Sequence, residues 1–289
     1  MKPGKRWKAA LAAALAAGLA ALGASGCPVR PALVEPEFPR NFIPEGGGAP
    51  VRVEVGPADA DVADQVMAAL TEAYPKATYW GAFRVEVHVR VYHTHEALEA
   101  VLGRRHLDWL RAWATYDAVL LQSPRTWGGE EPEKRLSELL KHELCHVSIY
   151  QLVAARESWE KIDLPLWFRE GLASWTAGQE YRRGHPRDIG EFLLLNPGAD
   201  PLLDPDPMLL ASQDKVYAAA HWAFDALYTR WKEKGVRDIL SGVARGLDFA
   251  RAFHGVTGLG PVEFAERWRE DVEHLASADG AHPKGTAGD

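Results

Sequence analysis

Cysteine is nearly missing from this sequence: Cys27 and Cys145 are the only two among 289 residues. A small fold stapled by disulfides is therefore excluded, and packing must hold the chain together. A basic surplus is missing as well. Lys and Arg number 33 against 40 Asp and Glu, a formal charge of −7, whereas a nucleic-acid binder carries a basic patch or stripe. No nucleic-acid partner is expected. The aromatic-poor composition of a disordered chain is also missing. Eleven Trp, nine Phe and eight Tyr within 47% hydrophobic residues are too much apolar surface to leave in water. No internal repeat is visible, and the length allows one large domain or two small ones.

Residues 1–26 are a separate object. Lys2, Lys5, Arg6 and Lys8 precede an Ala/Leu run from Ala9 to Ala24, the pattern of a secretory signal peptide. The stretch closes as Gly23-Ala24-Ser25-Gly26-Cys27. This resembles a bacterial lipoprotein signal with Cys27 as the lipidated residue, although Ala24 stands where Leu is commonest. Small residues at Ala24 and Gly26 equally suit ordinary cleavage before Cys27. A retained anchor is the third alternative, for a run barely long enough to span a bilayer. All three export the chain, and lipidation would place it in a bacterial cell envelope. Without residues 1–26 the balance is 29 basic against 40 acidic residues, or −11. A surface that acidic does not hold anionic lipid, so membrane attachment would depend on a lipid anchor at Cys27 with several acyl chains.

Residues 27–50 hold Pro28, Pro31, Pro36, Pro39, Pro44 and Pro50 with Gly46-Gly47-Gly48, a tether that is stiff at the prolines and loose at the glycines. Residues 51–275 read as one α+β domain, and 276–289 as a flexible tail. Val51–Val55 alternates as a strand should, and so does Phe83–Val91. A helix is expected from Asp59 to Tyr74, stopped by Pro75. Thr94 suits the N-cap of a short helix ended by Gly103. Residues 106–113 look helical, and Ala118–Gln122 looks like another strand. A long helix follows from Glu133 to about Arg156, with Leu136, Leu139, Leu140, Leu144 and Val147 on its apolar side. Pro165 opens the next helix, which ends near Gly178. Residues 184–214 look irregular, and helices are expected over 215–232, 236–245 and 261–275.

The long helix carries His142-Glu143-Leu144-Cys145-His146. Residues four apart differ by about 40° around a helix, so both imidazoles can share one metal. Neutral imidazole suits Zn²⁺, and Glu143 is placed to act on a water as general base. The segment Leu164-Pro165-Leu166-Trp167-Phe168-Arg169-Glu170-Gly171-Leu172-Ala173 supplies a carboxylate 24 positions after His146. Two His and one Glu leave a coordination position open, as catalytic zinc requires. Cys145 should point obliquely away from the metal and serve as a small buried residue.

The pair of motifs, H-E-L-x-H followed by P-x-W-x-x-E-G-x-A, resembles the peptidase MA-like domains of gluzincin metallopeptidases. The resemblance extends through Val216-Tyr217-Ala218-Ala219-Ala220 to Trp268 and so covers residues 51–275. It departs at Cys145, where Thr is frequent, with little expected consequence for coordination. It implies a zincin-like fold: a small N-terminal mixed β-sheet with helices, then the metal-binding helix and a helical C-terminal half. It also implies one Zn²⁺ held by His142, His146 and Glu170, with Glu143 as catalytic base and a peptide or protein as substrate. Tyr217 is the first candidate to stabilise an oxyanion, with His221 or Tyr181 as alternatives; otherwise Tyr217 is a core or rim aromatic. In related zincins an extended substrate pairs with a strand, and Ala118–Gln122 is the strand expected to accept it. A zinc metallopeptidase acting outside the cytoplasm is the leading expectation. The alternative is a non-catalytic zincin-like lipoprotein scaffold that binds a partner or envelope component, which has no need of an intact Glu143.

Other features weigh less. His93 and His95 read as a solvated strand end, for want of a carboxylate cluster nearby. Asp200, Asp204 and Asp206 read as a solvated loop, since the prolines between them break any EF-hand pattern. Trp167 and Trp175 share a helix face and should pack the core. Arg169 either orients the site or is merely exposed.

Overall fold

The computed structural model describes residues 39–278 apart from residues 46, 106, 129–131, 180–182 and 210. The signal-like segment, Cys27, Tyr181 and residues 279–289 lie outside the described residues.

Among the described residues, five strands form one mixed sheet: β1 (Arg40–Phe42), β2 (Val51–Glu54), β3 (Val87–Tyr92), β4 (Ala112–Ala114) and β5 (Ala118–Gln122). Their order is β1-β2-β3-β5-β4. The three central strands run parallel, and β1 and β4 flank them antiparallel. Parallel neighbours need a crossover, and helix α1 (Val62–Ala77) supplies it between β2 and β3. Residues 40–42 belong to the Pro- and Gly-rich stretch in the sequence, yet they pair with β2.

Alternation along the strands decides which side chains are buried. Val51, Val53, Val87, Val89, Val119 and Leu121 pack with α1 and with α3 (Pro132–Val153) into one core. On the opposite face Leu98, from α2 (His95–Leu102), covers Ala118 and Leu120. Strand β5 is therefore buried on both faces and has no polar position before Gln122. Helix α2 begins as expected: Thr94 Oγ1 accepts from the Ala97 N–H, and Gly103 closes the helix at φ 63°.

The second half is helical: α4 (Leu166–Ala177), α5 (Pro186–Leu195), α6 (Gln213–Ala244), α7 (Phe249–Thr257) and α8 (Pro261–Ala278). They enclose a second core rich in rings, with Trp167, Phe168, Phe224, Phe253 and Trp268 buried. Trp167 and Trp175 both join it, as expected. Helix α6 is broken at Lys232, where φ is 57° and ψ −173°, close to the interruption expected between 232 and 236. Among the described residues no helix is long and apolar enough to cross a membrane.

Four local expectations are corrected. Helix α1 continues through Pro75 to Ala77. The missing proline N–H falls in the last turn, where the Thr78 N–H and hydroxyl both donate to the Tyr74 carbonyl at 3.0 and 2.8 Å. Residues 83–86 are not strand: the N–H groups of Arg84 and Val85 donate to Gln151 Oε1 of α3 instead of a neighbouring strand. Residues 107–111 are a turn rather than a helix, because the Leu107 N–H is taken by Glu99 Oε1 and the chain then enters β4. Within 184–214, α5 forms because Pro186 occupies its first turn, while Ile189 and Leu193 are buried.

Candidate metal centre

Helix α3 separates the two cores and belongs to both. Leu136, Leu140, Leu144 and Val147 face the sheet, and Cys145 and Ile149 face the helical half. His142 and His146 point along the seam between these faces and are 2% and 4% exposed. Glu143, also buried, lies beside them on α3.

Glu170 reaches the seam from α4. Proline 165 occupies the N-cap of this helix, and Gly178 ends it at φ 67°. Gly171 sets its depth: a Cβ there would lie 2.2 Å from the Ala220 carbonyl oxygen of α6. Only glycine lets α4 approach α6 so closely, and Glu170 is the residue before it.

The three side chains meet as a nearly regular triangle. His142 Nε2 and His146 Nε2 are 3.1 Å apart. Glu170 Oε2 is 3.4 Å from the first and 3.5 Å from the second. Ligands on a tetrahedral zinc, with bonds of about 2.0–2.1 Å, lie about 3.3 Å from one another. A cation can accept all three lone pairs at once, whereas a proton can bridge only one edge of the triangle. The residues present therefore fit a zinc ion, and this trio is a metal-capable cluster of the described residues. The His146 ring is further held by stacking on Tyr150, with centroids 6.0 Å apart and planes 12° from parallel.

Electrostatics favour an ionised Glu170. Burial pushes its pKa up, but His146, His142 and Arg169 outweigh this and hold the carboxyl well below the usual range. Arg169 thus orients the site: its Nε lies 3.3 Å from Glu170 Oε1. Burial works against the Arg169 charge, yet Tyr150, Glu170 and Tyr217 keep its pKa above the ordinary value. Burial also pushes the Tyr150 hydroxyl up to about 12. Cys145 is fully buried, and burial raises its thiol to about 12, so it serves as a core residue.

His142, His146 and Glu170 are thus brought together, and Glu143 is buried next to His142 on α3. Tyr217 is half-buried on α6 and close enough to Arg169 to affect its charge. His221 is buried one turn further on, with Nδ1 3.1 Å from Ser174 Oγ of α4. Strand β5 cannot receive an extended peptide, because β3 and β4 occupy both its edges. The sheet edge on that side is β4. Ser174, Tyr150 and Arg169 were missed or left undecided in the sequence. Ser174 sits one helical turn after Glu170, a spacing that would have flagged it.

No protein-family model matches the chain, and a search of curated proteins finds no match either.

Proposed function

We propose that the chain is a zinc metallopeptidase of gluzincin type, built on a zincin-like fold and acting outside the cytoplasm. The observation that carries this reading is the triangle of His142 Nε2, His146 Nε2 and Glu170 Oε2, with edges of 3.1–3.5 Å. It is drawn from two separate helices and flanked by a further carboxylate, Glu143. The exported location rests on residues 1–27, with Cys27 as the lipid anchor.

His142, His146 and Glu170 would hold the ion. Zinc at such ligands supplies Lewis acidity, lowering the pKa of a water and polarising a carbonyl. The chain's own groups do the rest. The Glu143 carboxylate takes a proton from the attacking water and returns it to the leaving nitrogen. The Tyr217 hydroxyl donates to the oxyanion that develops on the substrate carbonyl. His221 fits a positioning role better, since its Nδ1 is engaged by Ser174. Arg169 keeps Glu170 ionised and pointed at the two imidazoles.

The test is digestion of a mixed peptide library by the purified, zinc-loaded chain and by its Glu143→Ala variant. The wild type should cleave, and the variant should keep its zinc while losing about 10²–10⁴-fold in rate. A zinc-loaded wild type that cleaves nothing across the library would leave the scaffold as the better account.

A further inference from the structure

On the sheet face opposite α3, a second group of metal-ligating side chains converges where none was expected. His95 and Glu99 lie one turn apart on α2, and Asp108 lies in the turn that leads into β4. One donor atom from each lies within 4.8 Å of the others. Neighbouring hydrogen bonds fix how the His95 ring is used. The Thr126 hydroxyl donates to the Ser123 carbonyl at 2.8 Å, so its oxygen accepts from Gln122 Nε2 at 2.7 Å. Gln122 Oε1 must then face His95 Nδ1, 3.1 Å away, and Nδ1 carries the proton.

That assignment leaves Nε2 as the atom turned toward the carboxylates. It is fully buried and has no hydrogen-bond partner among the described residues. Its nearest acidic neighbour is Glu99 Oε1 at 3.4 Å, an oxygen that already accepts the Leu107 N–H at 2.7 Å. An imidazole nitrogen and a carboxylate oxygen facing each other at this distance can both direct a lone pair at one ion. The spacing matches that of two ligands on one tetrahedral ion, about 3.3 Å. An imidazole whose other nitrogen is hydrogen-bonded to an amide oxygen has the outer support usual for a metal ligand.

We propose that His95, Glu99 and Asp108 form a second divalent-cation site, separate from the His142–His146–Glu170 centre, whose ion ties α2 to the approach of edge strand β4. One imidazole and two carboxylates suit Zn²⁺, with water filling the remaining position. Ca²⁺, which takes 6–8 oxygen ligands, is poorly served by this set. The site is structural: the ion ties α2 to residues 107–111, which lead into β4.

The test uses the full chain stripped of metal and titrated with Zn²⁺, with bound ions counted by calorimetry and native mass spectrometry. Wild type should bind two ions, and His146→Ala, which disables the first centre, should still bind one. That remaining ion should disappear when His95→Gln is added. Asp108→Asn changes an exposed side chain and should not unfold the protein. In the His146→Ala background it should weaken the remaining ion by about tenfold or more, since even outer-shell partners are worth about 10–100-fold. Zn²⁺, but not Ca²⁺, should raise the melting temperature of His146→Ala, and the rise should vanish with His95→Gln. A His146→Ala chain that binds no zinc would overturn the proposal. So would an ion that survives both His95→Gln and Asp108→Asn, or a His95 found doubly protonated by NMR in the presence of excess zinc.

Discussion

Helix α3 is packed on both sides, and the two sides are made of different material. Toward the sheet it meets small and branched side chains, Val53, Val89, Val119 and Leu121 among them. Toward the helical half the neighbours are rings. Trp167, Phe168, Phe224, Phe249 and Phe253 form a chain of contacts with centroids 5.0–6.2 Å apart. The sheet side is one of several supports of α3, which also packs on α1, α4 and α6. The ring side fixes α4, because Trp167 and Phe168 lie one turn or less before Glu170. Damage of similar size on the two sides should therefore have unequal effects on the metal centre.

The strongest way to break this comparison is to truncate one core residue on each side. Phe168→Ala should cost about 3–5 kcal/mol and Leu121→Ala about 2–5 kcal/mol, both residues being fully buried. Urea unfolding measures these losses. In buffers where both variants stay folded, Phe168→Ala should weaken zinc binding at the first centre, and Leu121→Ala should leave it unchanged. Equal zinc affinities would show that α4 is held by something other than its rings.

A milder pair uses glycine. Gly171 lies against the Ala220 carbonyl, and at Gly190 of α5 a Cβ would lie 2.0 Å from the Val272 carbonyl of α8. Each contact is with backbone, which cannot swing aside. Gly171→Ala and Gly190→Ala should each lose about 1–3 kcal/mol through overpacking. Only Gly171→Ala should also lower zinc affinity, because α4 carries a ligand of the first centre and α5 carries none. A zinc defect in Gly190→Ala would mean that strain spreads across the helical half.

How much of this was legible depends on where the deciding force lies. The site helices were readable because local signals and long-range packing agree. Pro165 and Gly178 bracket α4, and the apolar stripe Leu136–Val147 runs the length of α3. Helix α5 was hidden because the segment 184–214 is rich in Pro and Asp, although proline in a first turn favours a helix. The segment 83–86 keeps a strand's alternation, yet its N–H groups are captured by Gln151, 65 or more positions away. The interior place of β5 is a matter of sheet order, which alternation cannot reveal. At the second cluster, the His95–Glu99 spacing was visible. Asp108 was not, because residues 106–113 were read as helix, and a turn aims its side chain differently.

The smallest effect is electrostatic and lies on the outer face of the sheet. Burial raises the pKa of Glu54, but His88 and Arg90 outweigh it and hold the carboxyl below its ordinary 4.5. Arg52 adds a contact at 3.4 Å. A depressed folded-state pKa contributes stability above the unfolded value, and that stability is lost as pH falls through the folded value. Wild type should therefore lose stability below about pH 4.5 more steeply than Glu54→Gln, in urea midpoints compared at pH 7 and pH 4. Zinc binding at pH 7 should be the same in both, since Glu54 sits on the sheet and not on α4. A changed zinc affinity would join the two sides that the comparison separates.

The central claim is that one ion is held by donors from two helices, and Glu170 is the donor that α3 cannot supply. The direct measurement is the zinc dissociation constant of the folded chain with and without Glu170→Ala, in a His95→Gln background so that one centre is counted. The account predicts one tightly bound ion per chain, weakened by about tenfold or more when Glu170 is removed. Equal affinities in the two chains would contradict it.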